Sequence, residues 1–115
     1  MTIVIGALVW ALLIGTSLQL VMVFAGHRNP AVARQFASLG TGISLLAGVI
    51  YALMAAPVPA GAAAVGGLIA GGLCALIGIA VSFYLKDVPA SVLGFGTVMS
   101  ALAGALGGWV GSLFA

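Results

Sequence analysis

Four long apolar runs, with no charged residue inside any of them, constrain this chain more than any other feature of its sequence. They cover residues 3–25, 35–55, 62–85 and 90–114. Each run reaches the roughly 20 residues that a helix needs to cross a hydrocarbon core of about 30 Å. None shows the polar–apolar alternation of a transmembrane β-strand. The sequence therefore predicts four transmembrane helices, whose backbone hydrogen bonds are made internally as lipid requires.

Proline lies in each of the three segments that separate the runs, which are residues 26–34, 56–61 and 86–89. Because proline lacks a backbone N–H and disfavours helix at the residue before it, the helices are expected to end there. No Lys or Arg precedes Arg28. We therefore interpret the first run as a retained span and not as a cleaved leader, which would begin with basic residues.

Composition excludes several classes of soluble protein. Charged residues make up 3% of the chain and apolar residues 64%, whereas an ordinary soluble domain is about 25% charged. Disordered chains combine low hydrophobicity with high charge, which is the reverse pattern. Three Lys or Arg residues are also too few for a phosphate-binding surface, so nucleic acid is not an expected partner. The expected partners are membrane lipid and other membrane subunits or copies of this chain.

The charged residues fall only in the first and third connecting segments, as His27, Arg28, Arg34, Lys86 and Asp87. These two segments share one side of four antiparallel spans, and basic residues favour the cytoplasmic side. We therefore expect both termini to face outward in a bacterial inner membrane. Asp87 is predicted to form a solvated pair with Lys86. The whole surface is predicted to contact anionic lipid headgroups or a partner.

The two halves of the chain resemble each other. Residues 40–48 and 96–104 are identical at six of nine positions at an offset of 56, and Phe24 matches Phe83 at an offset of 59. We therefore predict one transmembrane domain, 1–115, built from two tandem helical hairpins, 1–55 and 62–115. Two spans per half make this a parallel repeat, unlike the inverted repeats of many transporters.

Small residues recur at every fourth position in three of the spans, which places them on one face of each helix. In lipid, such faces let helix backbones approach closely and associate. The stripe of the fourth span is longer than one helix crossing uses, which favours at least one stripe that faces another subunit over packing only within the chain. The predicted packing residues are Gly40, Ser44, Gly48, Gly67, Gly71, Gly96, Ser100, Gly104 and Gly108.

Polar chemistry inside the spans is sparse. Gln19 is the largest polar residue, with Thr16 and Ser17 one turn before it, about 9 Å from the cytoplasmic end of the predicted helix. It either lines a pore or forms a hydrogen bond with a neighbouring helix. The hydroxyls of Ser44 and Ser100 are expected to bond their own helices. No Asp, Glu, Lys, Arg or His, the residue types that usually mark proton or ion coupling, lies within the spans, and no metal or cofactor is expected.

Two functions fit these features. The favoured hypothesis is a non-catalytic accessory subunit that packs through its small-residue faces into a larger membrane complex or homo-oligomer. The alternative is a homo-oligomeric channel or carrier for a small neutral or anionic solute, lined by polar side chains. An enzyme is not expected, because one His and one Asp in short loops do not supply a nucleophile, a base and an oxyanion donor together.

Overall fold

The computed structural model describes residues 3–114, which are almost entirely helical. The helices are α1 (Ile5–Arg28), α2 (Pro30–Ala33), α3 (Phe36–Ala55), α4 (Ala60–Tyr84) and α5 (Ser91–Phe114). All except α2 are long and apolar enough to cross a membrane. The molecule is 41 Å long, which exceeds the roughly 30 Å of a hydrocarbon core. The prediction of an all-helical chain with four candidate spans is confirmed.

The first connecting segment is more ordered than the sequence suggested. The helix α1 continues through Arg28, and the next residue, Asn29, has an extended backbone with φ −129°. The Asn29 side chain then accepts a hydrogen bond from the Ala31 N–H at 3.0 Å, and Pro30 occupies the first position of α2. Both features favour a helix start. The predicted loop at 26–34 is therefore corrected to one extra turn of α1 followed by a short helix.

The α4–α5 connection is a tight turn around Lys86, which has a left-handed backbone with φ 65°. Its N–H donates to the Phe83 carbonyl, and the Asp87 N–H donates to the Ser82 carbonyl, both at 2.9 Å. These two bonds form a Schellman motif, which satisfies the last carbonyls of a helix. The turn places Asp87 against the end of α1. We call this end of the bundle, with His27, Arg28, Arg34, Lys86 and Asp87, the charged end.

The helices α3, α4 and α5 pack against one another, and α1 packs onto α3 and α4. Two faces of α5 carry glycine. A Cβ at Gly104 would overlap the carbonyl oxygen of Gly67 on α4, and one at Gly107 would overlap that of Leu45 on α3. These helices therefore pack backbone to backbone, as small residues permit. The long stripe on α5 serves contacts within this chain.

Tyr51 joins α1 to α3 at the opposite end of the bundle, which we call the far end. Its side chain is fully buried, and its hydroxyl accepts a hydrogen bond from the Val4 N–H at 3.0 Å. This bond satisfies one of the N–H groups that precede the first turn of α1. Gly66 on α4 leaves room for the ring, since a Cβ there would overlap it. Tyr51 therefore connects the start of α1 to α3 inside the far end.

Candidate functional site

The candidate site begins at Gln19, midway along α1 and only 2% exposed. Its amide Nε2 donates to the Gly40 carbonyl at 3.2 Å and to Ser44 Oγ at 3.3 Å, both on α3. Gln19 thus forms hydrogen bonds with a neighbouring helix, which is one of the two alternatives that the sequence left open. With α1 extended to Arg28, Gln19 lies about 14 Å from that helix end at 1.5 Å per residue. It is deeper in the bundle than the sequence suggested.

Ser44 extends this polar contact to α4. Its hydroxyl lies 3.1 Å from the carbonyl oxygen of Gly71, to which it donates. The expectation that Ser44 bonds its own helix is therefore wrong, because Gly71 has no side chain and brings its carbonyl within reach. Cys74 Sγ also donates to the Gly71 carbonyl, at 3.4 Å. Gln19, Ser44 and Cys74 thus connect three helices through one buried polar cluster.

A cavity of about 470 Å³ lies between this cluster and the charged end. All four long helices contribute to its wall, and Gln19 is one of the lining residues. Pockets of 300–1,000 Å³ are the usual size for small-molecule sites. Most of the wall is apolar, as at Met22, Ile79 and Met99. A few polar side chains in a largely apolar wall are typical of a ligand site.

The arrangement of α3 and α5 explains the cavity. Toward the far end the two helices touch, since a Cβ at Gly48 would overlap the carbonyl oxygen of Gly104. Toward the charged end, Ala37 of α3 and Phe95 of α5 instead line the cavity between them. The helices are therefore in backbone contact in one half of the bundle and separated by the cavity in the other.

Ser82 on α4 is the most unusual group in the wall. The residue is 2% exposed and lines the cavity, yet its Oγ has no hydrogen-bond partner among the described residues. A buried hydroxyl without a partner costs free energy. An unpartnered buried polar group of this kind is a feature that a bound ligand would explain.

Arg34 and Asp87 lie at the mouth of the cavity, at the charged end. Nδ1 of His27 lies 2.8 Å from Oδ2 of Asp87, and because an ionised carboxylate only accepts hydrogen bonds, the ring N–H is the donor. Asp87 is thus paired with His27, and the predicted pair with Lys86 is wrong, because the left-handed turn at Lys86 directs Asp87 toward α1. Within residues 3–114, Arg34 has no ion-pair partner.

The other predicted helix-packing residues divide between the cavity and the packing contacts. Gly40, Gly96 and Ser100 line the cavity. Gly48, Gly67, Gly71, Gly104 and Gly108 lie against the backbone of neighbouring helices of the same chain.

Five predicted polar or charged residues do not line the cavity, namely Thr16, Ser17, His27, Arg28 and Lys86. Ser17 is exposed on the outside of α1, where its hydroxyl donates to the Leu13 carbonyl at 2.7 Å. Thr16 is half-buried. Neither is among the cavity-lining residues, and neither is Arg28. Of the polar triplet proposed from the sequence, the structure therefore brings only Gln19 into the site.

Ser82 and Cys74 are the site residues that sequence reasoning missed. A lone Ser or Cys in an apolar run gives no local signal, because both commonly pack as small residues. The offset of 59 residues between the two halves of the chain gives one indirect signal for Ser82. It aligns Gln19 with Gly78, one turn before Ser82.

No protein-family model, curated protein or solved structure matches this chain.

Proposed function

We propose that this protein is a membrane carrier that binds a small neutral or anionic solute in the cavity between its helices. The observation that carries the proposal is the cavity itself. Its largely apolar wall includes two buried polar residues, Gln19 and Ser82, and the Ser82 hydroxyl has no partner among the described residues. The glycine faces, which suggested an accessory subunit, lie against helices of the same chain. Contacts within the chain therefore explain these glycine faces without a partner subunit.

Contacts between repeat-related residues support a two-fold design for this carrier. Gly15 lies against Cys74, and Gln19 lies against Gly78, and each pair is separated by 59 residues. In the second helix of each half, Gly48 contacts Gly104 at an offset of 56. Equivalent residues of two halves meet each other when the halves surround a pseudo-two-fold axis. Such an axis along the membrane normal is the arrangement of parallel repeats.

The difference between Gln19 and Gly78 accounts for the open space. Gln19 fills its position with an amide that reaches α3, whereas Gly78, its counterpart, has no side chain to reach α5. Both residues line the cavity, as do the counterparts Gly40 and Gly96. The cavity is therefore enclosed by both halves and lies where the second half lacks the polar side chain of the first.

The cavity extends from the charged end, which we place on the cytoplasmic side, only part of the way through the bundle. Beyond it, Gly48 and Gly67 both lie against Gly104, so α3, α4 and α5 are in backbone contact. A site open on one side and closed on the other favours a carrier over a pore through a single chain. Release on the other side would require these helices to separate.

Replacing Gln19 with leucine tests the carrier proposal. The change removes three interhelical hydrogen bonds, to Gly40, Ser44 and Cys74. Because such bonds contribute about 0.6 kcal/mol each in membranes, the bundle is expected to remain folded. Saturable solute binding is expected to weaken about tenfold, since a buried polar contact contributes about 1.5 kcal/mol. Binding is measured with the protein in lipid nanodiscs, and transport by uptake into proteoliposomes, across a panel of small neutral and anionic solutes.

Ser17→Ala is the matched control for Gln19→Leu. Ser17 lies on the same helix but on its outer surface, so both binding and uptake are expected to stay at the wild-type level. Equal behaviour of the two variants in both assays would contradict the carrier proposal.

An accessory subunit is the second candidate function. The observation that favours it is the apolar outer surface of α1 and α5, where Trp10 is 54% and Trp109 48% exposed. These faces contact either lipid or another membrane protein, and aromatic residues are enriched in both settings.

Native mass spectrometry after gentle extraction into lipid nanodiscs decides between the two functions. For a carrier we expect a monomer or homo-oligomer with no other protein subunit. Co-purification of a different membrane protein in fixed stoichiometry would favour the accessory subunit. A Trp10→Ala variant, which alters only the outer surface, would then release that subunit, whereas Gln19→Leu would not.

A further inference from the structure

We infer that the occupant of the cavity is a single-chain amphiphilic anion: an apolar chain that carries one carboxylate-like group. This inference rests on the proposed carrier function and specifies its substrate class. Three observations carry it. They are the lateral exposure of the wall, the cation of Arg34 at the mouth, and the hydroxyl of Ser82 beside that mouth.

The wall of the cavity reaches the lipid-facing surface. Phe95 and Met99 line the cavity and are also 73% and 45% exposed. They lie about 6 and 12 Å along α5 from Ser91. In a helix that crosses the membrane, exposed apolar residues at this depth contact acyl chains. An apolar molecule can therefore enter between α3 and α5 from the bilayer without crossing water.

The mouth of the cavity favours an anion. The chain carries a formal charge of +2, and all its charged side chains lie at the charged end. Arg34 and Asp87 are the charged residues in the cavity wall. The carboxylate of Asp87 accepts a hydrogen bond from His27, whereas the Arg34 guanidinium has no ion-pair partner within residues 3–114. A guanidinium can bind a carboxylate with two parallel hydrogen bonds.

Ser82 supplies a second donor on the same side of the cavity when its buried hydroxyl, which has almost no accessible surface, rotates toward the ligand. It lies in the last turn of α4, close to the mouth, and its hydroxyl has no partner in the described part of the chain. A hydroxyl donates readily to a carboxylate oxygen. The anionic group is thus placed near Arg34 and Ser82, and the apolar chain extends along Ile79, Met22 and Met99 toward Gln19.

Decanoate, decanol and acetate are the probes for this inference, with the full chain in phosphatidylcholine nanodiscs. Decanoate has the chain and the anion, whereas decanol lacks the charge and acetate lacks the chain. We expect saturable binding of decanoate, with decanol and acetate each at least about fivefold weaker. Arg34→Gln should weaken decanoate binding about fivefold, because an ion pair at an exposed mouth contributes about 1 kcal/mol, and should leave decanol unchanged.

Arg28→Gln is the matched control, since Arg28 is exposed at the same end but does not line the cavity. It should leave decanoate binding within about twofold of the wild type. Ser82→Ala should weaken decanoate binding about threefold, and its thermal stability should not fall, because the hydroxyl that it removes is buried without a partner among the described residues.

The remaining outcomes separate this inference from the proposed function. If decanol binds as tightly as decanoate and Arg34→Gln has no effect, the inference is wrong and the carrier proposal stands. A co-purified two-chain phospholipid that decanoate does not displace would also overturn the inference. If no solute in the panel binds saturably and Gln19→Leu behaves as the wild type, both proposals fail.

Discussion

Replacing Gly104 with leucine is expected to prevent the bundle from forming. A Cβ at this position would overlap the carbonyl oxygen of Gly67 and lie 2.9 Å from the Cα of Gly71. Both are backbone atoms, which cannot move aside as a side chain can. The larger leucine would force α4 and α5 apart, and overpacking of this kind costs about 3 kcal/mol or more. The measurements are the yield of monodisperse protein after extraction and its thermal unfolding midpoint.

Gly94→Leu provides the control for Gly104→Leu. Gly94 lies in the same helix, and a Cβ there would have no neighbour within 4 Å. Leucine at this site should leave yield and unfolding midpoint close to those of the wild type, because it adds apolar surface that faces open space. A Gly104→Leu protein with the stability of Gly94→Leu would show that the close approach of α4 and α5 is not required.

Replacing Ala37 with tryptophan is expected to abolish solute binding while leaving the fold intact. Ala37 is exposed and lines the cavity near its mouth. An indole at this position would occupy space that the solute needs, and an open site accommodates the larger side chain without overlap of backbone atoms. We expect binding to fall at least about a hundredfold, equivalent to about 2.7 kcal/mol. Binding of decanoate and of the neutral solute panel is measured in nanodiscs, together with thermal unfolding.

Ser38→Trp is the control for Ala37→Trp. Ser38 is the next residue on α3 and is also small and exposed, but it does not line the cavity. Its tryptophan should face the surrounding lipid and preserve binding within about twofold of the wild type, since Trp is well accommodated near a membrane interface. Loss of binding in both variants would point to a general effect of tryptophan on α3, and retention in both would show that solute binds elsewhere.

The helical segments were predictable because their signals are local. A run of about 20 apolar residues without charge has one stable form in lipid, so the four candidate spans follow from residue order alone. Their ends depend on residues outside the apolar runs. The helix α1 continues to Arg28, three residues beyond the predicted end at residue 25, and stops where Asn29, the residue before Pro30, has an extended backbone.

The candidate site was only partly predictable. Gln19 stands out in an apolar span, so it was identified from the sequence, with a hydrogen bond to another helix as one of its two expected roles. Thr16 and Ser17 were grouped with it because they are close in sequence. Residues two positions apart on a helix point in different directions, and Ser17 accordingly lies on the outer surface. Ser82 could not be identified, since its role depends on the position of α5.

The sequence by itself determined that this chain forms four long apolar helices with every charged side chain in two connecting segments. It also determined that three helices carry faces of small residues. Only the tertiary structure decided what those faces contact. A glycine stripe permits close approach to any other helix, within the chain or outside it, because it has no side chain to select a partner. Here Gly104 lies against α3 and α4, and the separation of α3 and α5 toward the charged end leaves the cavity.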